Sequence, residues 1–481
     1  MDLLGTAEQY RKRALGILDA ENQASRGQYF TPLLAAQIIA NLPRLPEEGT
    51  FRILDPGAGS GILSAAIAER IRREAPQLRF SIVAVENDEV LFPTLQKTLN
   101  DIERCTNAST ELVPAEFLSW ALHHDESFDL VIQNPPYAKL SSSSEDQKML
   151  RRNGIAVPNS YAAFMALGLR LLLKGGQQVS ITPRSWMNGA YYSIFRRQCA
   201  AIAGIDSIHT FESRSTVFRD TGVLQEAIIV SATKGGFPKN VKIFTSRDHT
   251  SIPTQRTVAY EDVVTPDFVH VPATQEDAQA VAWMTKNVHC TLKDLSLTVS
   301  TGRVVDFRSR ENLKIEPEMG AVPLLHATHL RGGRVHHPIC PKKPEWFVPD
   351  SEKTQKMLVE GGTYVLIKRF SAKEERRRVV AGIWESENCA AFDNKLNFIH
   401  ESGTGLDPEI AKGLWIYLNS TQVDHYFRVF SGHTQVNATD LRHMRFPTEQ
   451  QLRTLAQSDV SGQESIDAAV ESAVALQEVP A

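Results

Sequence analysis

The sequence predicts an α/β fold with a mainly parallel sheet, and three observations support this. Between residues 50 and 235, short apolar runs alternate with amphipathic stretches of helical length. Two turn motifs, DPGAGSG and NPPY, each follow one of these apolar runs directly. Such alternation is typical of a parallel sheet covered by helices, and ligands bind beyond the carboxyl ends of its strands. The two motifs are therefore candidate ligand-binding turns.

The individual elements follow from the period of the apolar residues. We expect strands at 51–55, 80–86, near 112–113, at 128–133, at 178–181 and at 224–232. We expect helices at 62–73, 89–100, 161–173 and 191–203. Because the two kinds of element alternate, helices would form the crossovers that parallel strands require.

After residue 235 the alternation fades, while histidines, prolines and irregular polar stretches increase. A chain of 481 residues is too long for one ordinary domain. The sequence therefore predicts an N-terminal α/β domain over 1–240, a smaller α+β domain over 241–455, and an acidic C-terminal tail or helix over 456–481.

The composition favours some classes of protein and disfavours others. The net charge is −4, so a nucleic-acid partner would need a local basic surface. The five cysteines form no C-x-x-C pair, which disfavours a disulfide framework and a thiolate zinc site, and no metal is expected. No signal peptide or membrane span is predicted, and we expect a cytoplasmic protein with no membrane partner.

The glycine turn DPGAGSG, residues 55–61, predicts a nucleoside-bearing ligand. Gly57 and Gly59 would let the backbone approach a ligand closely, and Glu86 at the end of the next strand could accept both hydroxyls of a ribose. The turn lacks the G-x-G-x-x-G spacing of dinucleotide sites and the Gly-Lys ending of a phosphate loop. S-adenosylmethionine therefore fits better than NAD, although a plain tight turn is the simpler alternative.

The NPPY turn, residues 134–137, would hold an amide, a bare carbonyl and an aromatic ring rigidly at a strand end. The Asn134 side-chain oxygen and the Pro135 carbonyl could accept both N–H groups of an exocyclic amine and aim its lone pair at a sulfonium methyl group. Pro136 would stiffen the turn, and the Tyr137 ring would stack on the base that carries this amine. The alternative is a rigid structural turn with no chemical role.

Together these motifs resemble the amino-group DNA methyltransferases of restriction–modification type, which have N6-adenine specificity and a C-terminal target-recognition domain. The resemblance, in a gamma-like motif order, covers most of the chain and implies a Rossmann-like methyltransferase domain that binds S-adenosylmethionine. The cofactor residues that it implies are Tyr29 and Thr31 in GQYFTP, Asp55, Gly57 and Gly59 in the glycine turn, Glu86, Glu116, Phe117 and Asn134. Glu116 stands where the family usually has Asp, and Phe117 is retained.

The resemblance also implies base flipping, because an adenine must leave the duplex to reach such a pocket. In that case Phe218 would cover the second face of the base opposite Tyr137, although it could equally be a core phenylalanine. C5-cytosine methylation is disfavoured, since it needs a nucleophilic cysteine, typically after proline, and the sequence contains no Pro-Cys pair.

The second domain resembles the family's target-recognition segments at 299–312, 364–381 and 431–447. The residues expected to contact DNA phosphates are Lys368, Arg369, Lys373, Arg376, Arg377 and Arg378. A solvated surface of mixed charge is the alternative for any one of them. Residues 432–437 could form a loop that approaches DNA, or a hairpin before a helix capped near Thr439 or Asp440.

The function expected from these features is site-specific N6-methylation of adenine in double-stranded DNA. A cognate restriction endonuclease, where one exists, would be a separate protein. Two alternatives stay open: an NPPY-type methyltransferase acting on a protein glutamine or a ribosomal RNA base, and a non-catalytic DNA-specificity subunit. The intact glycine turn, Glu86 and NPPY argue against the second of these.

Overall fold

The structure is a computed structural model with two compact units, Met1–Ala273 and Thr274–Ala481. It describes residues 2–18, 27, 29–125, 127–188, 190–211, 227–265, 268–339, 342–371, 375–430 and 435–475. Among the helices in those ranges, none has both the length and the apolar character needed to cross a bilayer.

The first unit is built on one sheet of nine strands. Their bounds are β1 Thr50–Pro56, β2 Arg79–Glu86, β3 Ala108–Pro114, β4 Phe128–Gln133, β5 Leu172–Pro183, β6 Ala203–Phe211, β7 Ala227–Lys234, β8 Asn240–Ser246 and β9 Thr254–Ala259. The strand order is β3-β2-β1-β4-β5-β7-β6-β8-β9. Strands β1 to β5 are mutually parallel, whereas β7 is antiparallel to β5 and β6, and β9 is antiparallel to β8. The predicted α/β fold with a mainly parallel sheet is confirmed.

Most of the described helices of the first unit lie between consecutive strands. Their bounds are α1 Leu3–Ile17, α2 Leu33–Asn41, α3 Ile62–Glu74, α4 Phe92–Cys105, α5 Phe117–Leu122, α6 Glu145–Arg152, α7 Ser160–Leu171, α8 Ser193–Ile202 and α9 Tyr260–Val263. Helices α3 to α8 lie between consecutive strands, whereas α1 and α2 precede β1 and α9 follows β9. Two short 3-10 turns, Arg184–Met187 and Ala190–Tyr192, connect β5 to α8.

Alternate residues of the central strands belong to two different apolar cores. Ile53 and Ile82 pack in one core together with α1 to α4, while Leu54 and Val83 pack in the other together with α7. Because successive side chains of a strand point to opposite faces, this division places one core on each face of the sheet. Burial on both faces explains why these strands are continuous apolar runs.

The first unit extends beyond the predicted boundary at residue 240. Strands β8 and β9 add to the same sheet: β8 pairs with β6 in parallel, and β9 pairs with β8. The compact unit therefore ends at Ala273. The alternation of strands and helices fades after residue 235 because no helix is present between β7, β8 and β9 in the described residues.

The second unit contains two smaller sheets. Their strands are β10 Thr298–Thr301, β11 Leu313–Lys314, β12 Val322–Leu325, β13 Leu330–Arg331, β14 Arg334–Val335, β15 Trp346–Phe347, β16 Leu358–Val359, β17 Gly362–Lys368, β18 Ala381–Ser386, β19 Ala390–Phe392 and β20 Leu396–His400. One sheet has the order β10-β20-β17-β18-β14-β13 and the other β11-β15-β12-β19-β16.

Helices at both ends of the second unit complete its α+β architecture. They are α10 Gln275–Asn287, α11 Glu352–Gln355, α12 Pro408–Leu418, α13 Thr421–Phe430, α14 Ala438–His443, α15 Glu449–Ala456 and α16 Gln463–Ala475. The predicted acidic tail contains α16, whose Val470, Ala473 and Val474 are buried, and this helix contacts α12, α13 and α15. It is therefore part of the second unit.

Candidate active site

A cavity of about 440 Å³ lies at the carboxyl ends of β1, β2 and β4 in the first unit. This volume is within the range of small-molecule sites, which is roughly 300–1,000 Å³. The lining residues that were predicted from the sequence are Tyr29, Thr31, Gly57, Gly59, Glu86, Glu116, Phe117, Asn134 and Pro136. The structure thus brings together five segments that are far apart in the chain.

The glycine turn between β1 and α3 has a left-handed backbone. The φ angle of Gly59 is 58°, and its backbone N–H donates to Glu86 Oε2 at 2.7 Å. A Cβ on Gly59 would lie 3.3 Å from the Phe30 ring. This position therefore favours glycine for its backbone conformation and for the close approach of the wall opposite.

Glu86 at the end of β2 is held by its own backbone surroundings. Besides the N–H of Gly59, those of Asn87 and Asp88 donate to its Oε1, each at 2.9 Å. Burial raises the pKa of this carboxyl, and the three N–H groups oppose that shift. The carboxylate is fixed in the cavity wall, where it can still accept a ligand hydroxyl.

Asp55 does not have the position predicted for a cofactor contact. It is buried beneath the glycine turn and is not among the cavity-lining residues described. Its Oδ2 accepts from the Ser64 hydroxyl at 2.6 Å and from the Ser64 N–H at 3.2 Å. Burial raises the pKa of Asp55 to about 7. This carboxyl therefore ties the first turns of α3 to β1.

Glu116 and Phe117 lie side by side at the start of α5. Glu116 caps this helix by accepting from the Ser119 N–H at 3.0 Å, and burial raises its pKa. The ring of Phe117 packs against Phe164 of α7, with centroids 4.6 Å apart, and both rings line the cavity. Two apolar rings beside a carboxylate suit a base that carries an exocyclic amine.

Asn134, directly after β4, has its side-chain amide oriented by the segment before α2. Its Nδ2 donates to the Tyr29 carbonyl at 2.6 Å and to Thr31 Oγ1 at 3.0 Å. Because a carbonyl oxygen can only accept, the atom facing Tyr29 must be the nitrogen. The opposite atom, Oδ1, is buried and has no hydrogen-bond donor among the described residues. A cavity-lining residue therefore has a fixed, buried acceptor that no donor of the described residues satisfies.

The rest of the NPPY turn is packed tightly. The Tyr137 N–H donates to the Gly27 carbonyl at 2.9 Å, and a Cβ on Gly27 would lie 2.6 Å from the Ala138 nitrogen. The hydroxyl of Ser160 lies 2.6 Å from the Pro136 carbonyl. Pro135 is buried and is not among the cavity-lining residues described. The turn is held from both sides before any substrate binds.

Tyr137 packs between two other tyrosines. Its ring centroid is 5.4 Å from that of Tyr29 and 6.1 Å from that of Tyr161. Burial raises its pKa far above the ordinary value, so this hydroxyl stays neutral. Phe218, predicted to cover the other face of a flipped base, lies outside the described residues.

Other cavity-lining residues were not found from the sequence. They are Phe30, Ala58, Ile62, Leu63, Val85, Asn87, Leu91, Ala115, Leu118, Ala138, Leu140, Asp146, Ser160 and Phe164. Most are apolar or small residues of ordinary elements, but Phe30 lies within GQYFTP and Ala58 within DPGAGSG, and these motifs could have indicated both. Their position depends on tertiary packing, which a single sequence does not show.

Only some residues of the predicted basic cluster in the second unit have exposed side chains. Arg378 is fully buried, its Nε donates to Ser371 Oγ at 3.0 Å, and its guanidinium lies over the Phe427 ring. Arg377 is half-buried, donates to the Ser420 carbonyl at 2.7 Å and has its pKa lowered by burial. The prediction that Arg378 binds phosphate was wrong, because its side chain is used inside the fold, and Arg377 has its guanidinium engaged as well.

The remaining residues of that cluster differ in exposure. Lys368 pairs with Glu375 at 2.6 Å, and Arg369 donates to the Asn394 carbonyl at 3.0 Å. Arg376 is exposed, and Lys373 lies outside the described residues. Helix α14 begins after Asn437, two residues before the predicted Thr439, and the Asn437 N–H donates to Asp440 Oδ2 at 3.1 Å. The predicted helix is therefore present, whereas residues 431–434 of the loop or hairpin before it lie outside the described ranges.

One group in the second unit has the composition of a metal site. A ligand atom from each of Asp306, His326 and Asp393 lies within 4.8 Å of the others. However, the Lys395 ammonium is 2.5 Å from Asp306 Oδ2 and 3.6 Å from Asp393 Oδ2, and both ring nitrogens of His326 are hydrogen-bonded. The Lys395 ammonium already supplies positive charge to these carboxylates, so the group gives no reason to assign a metal.

Comparison with known sequences gives matches along both units. A family model described as Eco57I restriction-modification methylase matches residues 64–218. The Type II methyltransferase M.BsuBI of Bacillus subtilis is 38% identical over 466 residues, which cover 93% of this chain and 92% of that protein. The Type II methyltransferase M.PstI of Providencia stuartii is 37% identical over 468 residues, with the same coverage of both chains.

Among solved structures, the Type IIL restriction-modification enzyme MmeI in complex with DNA aligns with 93% of this chain and 72% of that chain. The TM-score is 0.51 and the identity 12%, so this similarity concerns the fold alone.

Proposed function

Because the chain belongs to the family of Type II restriction–modification DNA methyltransferases, we propose that its cavity directs a methyl group from S-adenosylmethionine to N6 of an adenine in duplex DNA. The family establishes S-adenosylmethionine-dependent methyl transfer to DNA. The position methylated on the base and the roles of single residues are the new part of the proposal.

The observation that carries the proposal is the buried Oδ1 of Asn134, which has no hydrogen-bond donor among the described residues. An exocyclic amine delocalises its lone pair into the purine ring and is a poor nucleophile. An N–H···O bond to Oδ1, with a second to the Pro135 carbonyl, would draw that nitrogen towards tetrahedral geometry and aim its lone pair. The acceptor is already fixed by Tyr29 and Thr31, so no reorganisation is needed during the reaction.

The cavity has the features that this cofactor needs. Gly59 and Glu86 would hold the ribose, Glu116 and Phe117 the adenine ring, and Tyr29 and Thr31 would lie towards the methionine end. The cofactor supplies an electrophilic methyl group on sulfur. When the N6–carbon bond forms, the carbon–sulfur bond breaks and the amine releases one proton to water. A carboxylate base is not required, because the sulfonium charge is neutralised in the same step.

A flipped adenine would stack on Tyr137, and Phe218 would cover its second face. Of the predicted phosphate contacts, Arg376 keeps that role in the proposal because it is exposed, whereas Arg378 loses it. The second unit would read the target sequence. A separate restriction endonuclease would recognise the same site, and both would work in the cytoplasm, where bacterial DNA lies.

The alternatives are less well supported. The two Type II relatives match 92% of their own length, including the second unit, whereas methylation of a protein glutamine or a ribosomal RNA base would not need that unit. A non-catalytic subunit would have no need of an Asn134 amide that is oriented through Nδ2 while its Oδ1 lacks a donor among the described residues.

The test is modified-base sequencing of DNA from methylation-deficient bacteria that express the chain, beside the Asn134→Ala variant. We expect N6-methyladenine in one short motif with the native chain and none with the variant. The variant should still bind S-adenosylmethionine in titration calorimetry, which shows that its pocket is folded. Methylation that persists in the variant would refute the role of Asn134, and methylcytosine would refute the choice of base.

A further inference from the structure

Five tyrosine rings connect the wall of the cavity with the protein surface, and we call them the tyrosine row. In spatial order they are Tyr29, Tyr137, Tyr161, Tyr192 and Tyr191. The successive ring centroids are 5.4, 6.1, 6.0 and 5.4 Å apart, which is the contact range of aromatic pairs. The row begins at a cavity-lining residue and ends at an exposed one.

The inner part of the row is held by hydrogen bonds. The Tyr161 hydroxyl lies 2.6 Å from that of Tyr192 and 2.9 Å from Ser185 Oγ. Asn159 donates from Nδ2 to the Tyr192 hydroxyl at 2.9 Å, while its Oδ1 accepts from the Ala162 N–H and caps α7. The ring that supports Tyr191 therefore has little freedom to move.

Tyr191 lies close to the NPPY turn. Its hydroxyl is 3.5 Å from the Pro158 carbonyl, and the next residue, Asn159, pairs with Lys139 in a β-bridge. The Ser160 N–H donates to the Ala138 carbonyl at 3.1 Å, and both of these residues line the cavity. The outer end of the row thus lies beside the segment that carries the methyl-acceptor site.

The Tyr191 side chain is 73% exposed, although its ring meets that of Tyr192 edge-on and its hydroxyl lies near the Pro158 carbonyl. Lys139, whose backbone pairs with that of Asn159, is also exposed. An exposed aromatic ring and an exposed ammonium group on adjoining segments match the stacked bases and phosphates of a nucleic acid.

We propose that Tyr191 stacks on a DNA base next to the position that the target adenine leaves, and that Lys139 binds a phosphate of the same strand. This inference rests on the proposed function. When the adenine flips out, its neighbours lose a stacking partner, which costs a few kcal/mol. A rigid ring at the edge of the site replaces part of that contact and stabilises the flipped state.

The experiment uses a duplex with the methylation motif found by sequencing and with 2-aminopurine at the target position, whose fluorescence rises when it leaves the stack. Tyr191→Ala is compared with Tyr191→Phe, which keeps the ring. The matched control is Phe237→Ala. Phe237 is 60% exposed and follows the end of β7. Strand β7 is antiparallel to β5, and its Thr233 pairs with Gln177 in the first half of β5. Phe237 therefore lies towards the amino ends of the parallel strands, whereas the cavity lies at their carboxyl ends.

We expect Tyr191→Ala to weaken the binding of this duplex about tenfold and to lower the fluorescence rise, while Tyr191→Phe and Phe237→Ala behave like the native chain. We expect Lys139→Gln to reduce the salt dependence of DNA binding by about one counterion. All variants should bind S-adenosylmethionine as the native chain does.

Two results would overturn the inference. If the native chain methylates DNA and Tyr191→Ala gives native affinity and fluorescence, Tyr191 does not contact the base, and the proposed function stands. If the native chain neither binds nor methylates duplex DNA, the proposed function fails, and this inference fails with it.

Discussion

At the scale of single residues, the Thr31 hydroxyl acts through Asn134, because it accepts from the amide nitrogen at 3.0 Å. Thr31→Val keeps the shape and removes that acceptor. We expect kcat to fall about fivefold with the KM for cofactor nearly unchanged, because a single hydrogen bond contributes about 1 kcal/mol. Thr31→Ser should restore activity. Steady-state kinetics would contradict this role if Thr31→Val raised the KM alone, since Thr31 would then act on the cofactor.

Asp55 gives the protein a pH-dependent stability. Its folded pKa is about 7 and its ordinary value is 3.8, so the folded state holds the proton more tightly than the unfolded state. The stabilisation is complete below about pH 4 and is lost as the pH rises to 7. We expect the native chain to lose about 2–3 kcal/mol of unfolding free energy between pH 5 and pH 8 through this group.

The variant Asp55→Asn has no carboxyl to titrate and should lose much less stability over that range. Urea unfolding at the two pH values measures the difference. An equal pH dependence in both proteins would show that the carboxyl does not titrate there.

The sequence was sufficient to find most of the site residues whose chemistry requires a particular turn. Asn134 and Glu86 lie at strand ends, where their side chains point into the cavity. Asp55 occupies a similar sequence position, but α3 begins close enough for Ser64 to bind its carboxylate. Which of two strand-end acids faces a ligand depends on the next helix, and the apolar pattern does not contain that information.

At the scale of elements, strand β6 was missed because its buried residues are partly polar. Ser207, His209 and Thr210 are buried in AGIDSIHTF, and His209 bonds to Ser246 of β8 at 2.9 Å. Burial lowers the pKa of His209 to about 4, so the ring is neutral at physiological pH. A strand whose polar groups bond to neighbouring strands does not show the apolar run by which β1, β2 and β4 were found.

The connection between β17 and β18 carries three consecutive arginines with different roles. Asp424 of α13 accepts from the backbone N–H of Arg378 at 2.6 Å, and the Arg378 side chain is fully buried. We expect Arg378→Ala to lower the unfolding free energy by at least about 2 kcal/mol, because it removes a large buried side chain. Calorimetry on this variant measures the loss.

The matched control is Arg376→Ala, whose native side chain is exposed. It should change stability by less than about 0.5 kcal/mol and reduce the salt dependence of DNA binding. The opposite pattern, with an unstable Arg376→Ala and a stable Arg378→Ala, would contradict the buried position of Arg378.

At the scale of the whole molecule, each compact unit has its own apolar core, so we expect two unfolding transitions. S-adenosylhomocysteine at about 100 times its Kd should stabilise the first unit by about 2.7 kcal/mol and leave the second transition in place. Arg378→Ala identifies the second transition, because it should lower that one alone. Scanning calorimetry measures both effects, and one transition shifted equally by ligand and substitution would contradict independent unfolding.

The anchoring of Glu86 has a consequence for turnover. Its carboxylate is fixed by the N–H groups of Gly59, Asn87 and Asp88, so it already has the orientation in which it would hold a ribose. The spent cofactor lacks the methyl group and the positive charge at sulfur, but its ribose is the same, so a contact to the ribose alone does not distinguish the two. We therefore expect S-adenosylhomocysteine to compete with fresh cofactor, so that turnover in a cell would depend on how quickly other enzymes remove it.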